Sequence, residues 1–190
     1  MKSRFVPAFF IQLFCYSAVN KVNNLKEGNT MKQEVLDALN EQINYELYSG
    51  YIYLNLSIAM ERENYKGYAK WLANHYKEEL AHADQFIEFI QKRDAKPELK
   101  TIEMKDLEVK EPLEVAKIIL DHEKKVTERI YKIHDVAKKN DDYATEIFMH
   151  QFINEQIEEE ELALDIVDNF TLADGNIAAK ITIDRELGSK

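Results

Sequence analysis

Four stretches of the chain carry apolar residues at the three-and-four spacing of a helix. The first covers about 32–61, with Leu36, Leu39, Ile43, Leu47 and Leu54 on one side. The second covers 66–93, with Leu72, Phe86 and Ile90. The third covers 112–139, with Val115, Ile119, Val126, Ile130 and Ile133, and the fourth covers 142–170, with Ile147, Phe148, Phe152, Leu162 and Ile166. No alternation of period two is sustained, so the pattern predicts helices and no strands. From Met31 on, glycine and proline are confined to Gly50, Gly67, Gly175, Gly188, Pro97 and Pro112, a scarcity that favours long helices. Residues 94–111 carry Pro97 and no apolar periodicity, and Pro112 suits the first turn of the third helix. Short connections elsewhere and one long connection there predict an all-α four-helix bundle with a single crossover. After TLADGN, the segment from Ile177 to Leu187 reads as a short fifth helix.

The first thirty residues do not share this pattern. Lys2 and Arg4 precede an apolar run interrupted by Pro7 and Gln12, which resembles a signal peptide but is too short to span a bilayer. The alternative, preferred here, is a start at Met31, with residues 1–30 a leader or misassigned start outside the fold. Residues 31–190 then form one domain, long enough for a sizeable core.

Charge narrows the class of function. With 25 Lys and Arg against 35 Asp and Glu, the net charge of −10 disfavours nucleic acid, which calls for a basic face. It suits cations. The single cysteine, Cys15, excludes a disulfide framework within the chain and any cysteine-rich zinc or iron–sulfur site, and fits a reducing compartment such as the cytoplasm.

The acids themselves are unevenly placed. Five of the seven positions from Glu155 to Glu161 are glutamate. At about 100° per residue, Glu155, Glu158 and Glu159 share a stripe with Phe148, Phe152, Leu162 and Ile166, whereas Glu160 and Glu161 point elsewhere and can be solvated. Like charges on a core-facing stripe repel, and an unpaired buried carboxylate is costly, so either the face stays wet or a cation sits there. Similar acids occur on the other helices. Glu46 continues the stripe of Leu39 and Ile43, with Tyr53 further along. Glu79 and His82 lie one turn apart beside Leu72 and Phe86, Glu123 lines up with Ile119 and Val126, and Gln156 and Glu159 are again three apart.

Taken singly, each of these has a plain structural reading. An inward glutamate is more often a wet edge than a ligand, a Glu-x-x-His pair arises by chance in a charged helix, and Tyr53 reads as a core tyrosine with its hydroxyl bonded. His75, His122, His134 and His150 read as ordinary, partly exposed histidines. The conjunction is more informative, because one mid-helix acid on each of four apolar faces, with one Glu-x-x-His, describes a di-iron carboxylate bundle. Oxygen donors with one imidazole suit iron or manganese better than zinc.

The strings LNEQINYELYSGYIY, HYKEELAHADQF, LDHEKKVTERI and FINEQIEEEELALDIVD resemble the prokaryotic non-haem ferritins, from about Met31 to Leu187. The resemblance implies a ferritin-like bundle whose first iron position is Glu46, Glu79 and His82. Glu79 would bridge to a second position completed by Glu123 and Glu159, with Gln156 close by and Tyr53 as a nearby redox-active tyrosine. Glu78, Glu155 and Glu158, sharing Glu159, match a third iron position. Also implied are oxidation of Fe(II) by O2 or H2O2, storage of the ferric product as an oxyhydroxide mineral, and a closed homo-oligomeric shell of twenty-four subunits with the fifth helix at a symmetry axis. No membrane or nucleic-acid partner is expected.

Two relatives of the same fold are set apart by single residues. Bacterioferritins and rubrerythrins typically carry a second Glu-x-x-His on the fourth helix, where this chain has Gln156, Ile157, Glu158 and Glu159. A bacterioferritin would present a haem-ligating methionine where Leu80 stands, so haem is not expected, and one cysteine cannot supply a rubredoxin module. A di-iron oxidase or peroxidase without storage, and a bundle whose acids only solvate a groove, are the rival functions. Asp141, Asp142 and Glu146 admit two readings, an iron inlet or favourable charges at a helix N-terminus, of which the second is preferred.

Overall fold

The computed structural model describes residues 31–104 and 107–189; residues 1–30, with their leader reading, lie outside it. Five helices follow one another: α1 (Gln33–Arg62), α2 (Lys66–Lys92), α3 (Pro112–Lys139), α4 (Tyr143–Leu172) and α5 (Ile177–Leu187). α1 packs on α2 and α3, α4 packs on α3, and α5 packs on α2 and touches α4.

Three of the helices stop by one device. Asn64, Asp94 and Asp141 take positive φ angles of 66°, 57° and 54°. Beyond them the chain turns back on itself: Tyr65 N donates to Met60 O at 3.0 Å, Ala95 N to Ile90 O at 3.1 Å and Asp142 N to Ala137 O at 2.9 Å. Glycine usually fills this left-handed position, but short polar asparagine and aspartate tolerate it. The chain thus makes three sharp stops without a glycine.

α4 starts at Asp142, whose Oδ1 accepts from Thr145 N at 3.1 Å and from Arg93 Nη1 at 2.9 Å, tying the end of α2 to the start of α4. Burial works against the Asp142 charge, but Arg93 and the Thr145 amide hold its carboxyl below the usual aspartate range. Asp142 therefore has a capping task.

The segment between α2 and α3 runs along the outside of α1. Asn40 Oδ1 accepts from Glu98 N at 2.8 Å, and Asn44 donates to Glu98 O at 2.8 Å while accepting from Lys100 N at 2.6 Å. Further on, Ile102, Met104 and Leu107 to Lys110 lie beside Leu54, Asn55, Ile58, Ala59, Arg62 and Glu63. The crossover thus returns the chain to the far end of α1, and α3 runs antiparallel to α1, with Lys139 Nζ 3.2 Å from Glu34.

The core is divided. One apolar cluster holds Tyr53, Leu56, Met60, Tyr68, Leu72, Ile119, Ile166 and Phe170. The other holds Val35, Leu39, Ile43, Phe86, Ile90, Val126, Ile130 and Phe152. Between them, at the middle of the bundle, the buried residues include Glu46, Glu79, Glu123 and Gln156.

Some positions differ from the sequence pattern. Ile147, expected on the apolar face, is 70% exposed. At the start of α4 the buried positions are Thr145, Met149 and Phe152, and Ile147 sits about 200° round the helix from Thr145. His75 and His122, expected to be partly exposed, are buried at 9% and 5% exposure. Both lie on inward stripes, His75 one turn before Glu79 and His122 one turn after Ile119. Glu160, expected to point into solvent, is half-buried and accepts a short hydrogen bond from Thr127.

α5 is held against the start of α2. Tyr68 N donates to Asp184 Oδ1 at 2.8 Å. A Cβ at Gly67 would stand 1.8 Å from the Asp184 carbonyl oxygen, so this approach requires glycine.

Candidate metal centre

Each of α1, α2 and α3 delivers one buried carboxylate to the middle of the bundle, and α4 adds Gln156 and the half-buried Glu159. Ligand atoms of Glu46, Glu79 and His82 all lie within 4.8 Å of one another. Glu46 Oε1 accepts from Gln42 Nε2 at 2.8 Å. Glu46 Oε2 and Glu79 Oε2 are buried without a hydrogen-bond partner. His82 Nδ1 is 3.6 Å from Glu79 Oε2, too far for a hydrogen bond, and His82 Nε2 is 3.1 Å from Glu155 Oε1.

Glu123 completes the other side. Tyr53 donates to Glu123 Oε1 at 2.7 Å, and Gln156 Nε2 donates to Glu123 Oε2 at 3.3 Å. Glu159 extends toward a cavity of about 400 Å³ whose walls include Trp71, His75, Glu78, His82 and Glu155. His75 Nδ1 lies 2.9 Å from Glu78 and 4.0 Å from Glu159. Glu158 is exposed and acts on Glu159 only through its charge. Of the ten residues expected at the centre, nine thus line the buried cluster or this cavity, and the exposed Glu158 lines neither.

Among the described residues, no lysine or arginine pairs with Glu46, Glu79, Glu123 or Glu159. Their proton affinities reflect that deficit. Burial, and then the charge of Glu79, pushes the Glu46 carboxyl well above the usual range. Burial raises Glu79 to about 7. It raises Glu123 to about 7 against the opposing hydrogen bond from Tyr53. Burial, with Glu78 and Glu155 adding repulsion, raises Glu159 to about 7. For His82 burial opposes the charge, yet the hydrogen bond to Glu155 and the neighbouring Glu79 carboxylate lift it to about 11, and the contact with Glu155 lowers that acid in turn. Burial lowers His75 and His122 to about 4. Four inward acids with lone pairs to spare and one imidazole form a hard donor set that, among the described residues, no lysine or arginine satisfies.

Several neighbours escaped the sequence reading. Gln42, His75, His122 and Arg129 carry no motif. For His75 and His122 the helical period held the signal, since each falls on an inward stripe. For Gln42 the signal was its position one turn before Glu46.

Fold and site together define a helical bundle built around a carboxylate-rich candidate metal site. The chain belongs to the ferritin family, among the prokaryotic non-haem ferritins: residues 36–173 match that family's ferritin-like domain. The bacterial non-heme ferritin of Bacteroides fragilis is 33% identical over 160 residues, 84% of this chain and 99% of that protein. That of Staphylococcus aureus is 29% identical over 160 residues, 84% of this chain and 96% of its own length. Among solved structures, an open pore ferritin from Archaeoglobus fulgidus superposes with a TM-score of 0.83 at 33% identity, covering 85% of this chain and 99% of that one. The family's task, iron binding and storage in an oligomeric shell, follows for this chain. No helix among the described residues is long and apolar enough to cross a membrane.

Proposed function

We propose that this chain oxidises Fe(II) to Fe(III) at a two-ion centre, with O2 or H2O2 as oxidant, and retains the product as a ferric oxyhydroxide mineral inside a shell of twenty-four subunits. The observation that carries this reading is the inward group of Glu46, Glu79, Glu123 and Glu159, which among the described residues has no lysine or arginine partner and keeps two buried carboxylate oxygens without a hydrogen bond. Glu46, Glu79 and His82 would hold one iron. Glu79, Glu123 and Glu159 would hold the second, with Gln156 beside it. Neighbouring ferrous ions can pass two electrons together to the oxidant, and an oxygen-rich donor set favours the ferric product. His82 would bind through Nδ1, the nitrogen facing Glu79, while Nε2–H donates to Glu155 and fixes the tautomer.

Glu78, Glu155 and Glu159 face the cavity beside the centre, and with the exposed Glu158 they would form a third position for iron on its way onward. Tyr53 would supply a further electron and leave its proton on Glu123, a reading supported by the hydrogen bond between them. The like charges around the cavity keep it attractive to cations, which suits a route for substrate better than a permanent structural ion.

Mixing the purified protein with ferrous iron in air tests this. Ferric-oxo absorbance should develop far faster than in buffer, and Glu79→Ala should slow it most because the shared ligand is lost. Wild-type initial rates in Glu79→Ala would overturn the assignment. A size-exclusion run stained for iron separates a loaded shell from the small, non-storing oxidase on the same fold.

A further inference from the structure

Gln42 is fully buried, and both ends of its amide are engaged. Its Nε2 donates to Glu46 Oε1 at 2.8 Å, and its Oε1 accepts from Arg129 Nε at 3.0 Å. The guanidinium is itself anchored twice more. Arg129 Nη2 donates to Glu41 O at 3.1 Å, and the Arg129 Cζ stands 4.2 Å from the centroid of the Tyr45 ring. These contacts decide which way the amide faces. A flipped Gln42 would set its carbonyl against a carboxylate oxygen and its NH2 against a guanidinium, both repulsive. With Arg129 in place, only one orientation is available.

We propose that Gln42, locked by Arg129, is a positioning residue for Glu46: it holds Oε1 so that Oε2 faces Glu79 and His82. This rests on reading Glu46 as a metal ligand. Glu46 Oε2 is the oxygen left buried without a partner. A glutamate on the inside of a helix has three rotatable side-chain bonds, and in a centre lined by other acids repulsion would swing it away. The Gln42 donor supplies the counter-pull. Arg129, which lies on α3 and touches no expected ligand, thereby reaches the centre through one amide. Orienting partners of metal ligands commonly affect affinity by about 10- to 100-fold.

The test uses the full assembled chain and Co2+, which binds oxygen donors and reports its surroundings in its visible absorption. Wild type, Gln42→Leu, Arg129→Leu and Arg129→Lys are titrated by calorimetry and absorption together. The first equivalent should bind Gln42→Leu about tenfold or more weakly, with altered band intensity, while the second equivalent stays near wild type. Arg129→Leu should show part of the same loss, and Arg129→Lys, which keeps a donor for Gln42 Oε1, should recover it. If Gln42→Leu does not assemble, Arg129→Leu decides alone, since it leaves Gln42 and every expected ligand in place. Wild-type affinity and band shape in the variants would overturn the positioning role and leave the centre standing. Equal weakening of both equivalents would mean general loosening and would also overturn it. If the wild-type protein binds no Co2+, the reading of Glu46 as a ligand fails first, and this inference with it.

Discussion

His82 and Glu155 are joined across the bundle, Nε2 to Oε1 at 3.1 Å, which makes Glu155 the partner that fixes the imidazole's orientation. Glu155→Ala should therefore slow the first fast phase of Fe(II) oxidation about tenfold, and Glu155→Gln, which keeps a carbonyl acceptor for Nε2–H, should recover most of it. Stopped-flow absorbance under air decides, and an unchanged first phase in the alanine variant would count against the pairing.

The metal-free protein should lose stability as pH rises through neutrality. Glu79, Glu123 and Glu159 titrate at about 7 when folded against 4.5 otherwise, so the folded state holds protons that the unfolded chain has released, and stability falls from about pH 4.5 to 7. His82, raised from 6.5 to about 11, continues the fall above 6.5. His75 and His122, lowered from 6.5 to about 4, act oppositely, but their contribution is complete by 6.5. Thermal unfolding in chelator should give a lower Tm at about pH 9 than at about pH 6.5, and saturating Zn2+ should shrink or reverse the difference, because a divalent ion favours the deprotonated acids. A metal-free Tm that rises over that interval would contradict the burial of these acids.

Tyr53→Phe removes the 2.7 Å hydrogen bond to Glu123 and with it an interaction that lowers the Glu123 pKa. The protein should still assemble, with about 1–3 kcal/mol of stability at stake. The second equivalent of Zn2+ should weaken at neutral pH while the first holds, as read by calorimetry. Equal affinities for both equivalents before and after the change would separate Tyr53 from the second position.

Gly67→Ala places a methyl group 1.8 Å from the Asp184 carbonyl oxygen, backbone that has no side chain to swing away. α5 should lift from the start of α2, breaking the Tyr68–Asp184 bond, at a cost of about 1–3 kcal/mol. Faster proteolysis at the C-terminal end and a lower Tm would show it. Iron binding per subunit should be unaffected, since α5 supplies no residue to the centre.

A chain beginning at Met31 should assemble and oxidise iron as the full chain does, because every residue of the proposed centre lies beyond it and α1 starts at Gln33. Loss of the shell on this truncation, seen by size exclusion, would make residues 1–30 structural.

The five helices were legible because periodicity, a first-turn proline and the absence of breakers agreed along the whole domain. The inward acids were legible too, since a charge on an apolar stripe contradicts its surroundings. Surroundings that break no rule stay hidden. Gln42 and Arg129 are ordinary helix residues, and only the packing of α3 against α1 shows that they meet. Glu155 reads from the sequence as part of a third position, and the fold adds its bond to His82. His75 and His122 had inward spacing, but a histidine is equally at home half-exposed, and neighbours such as Ser49, 2.8 Å from His122 Nε2, come from another helix. Three helix stops carried no glycine, so the turns were visible only as the places where periodicity lapsed.

The division of the core has a consequence for how the molecule endures its own work. If the middle of this bundle is filled and emptied with iron as proposed, the metal there comes and goes with the cargo and cannot also be permanent cement. The apolar packing is set instead at the two ends, Tyr68 and Phe170 at one and Ile90 and Ile130 at the other. Rigidity there would let the waist pass through protonated, charged and metal-filled states without the helices parting. A bundle glued through its centre by leucines would be the sturdier object, and it would carry nothing.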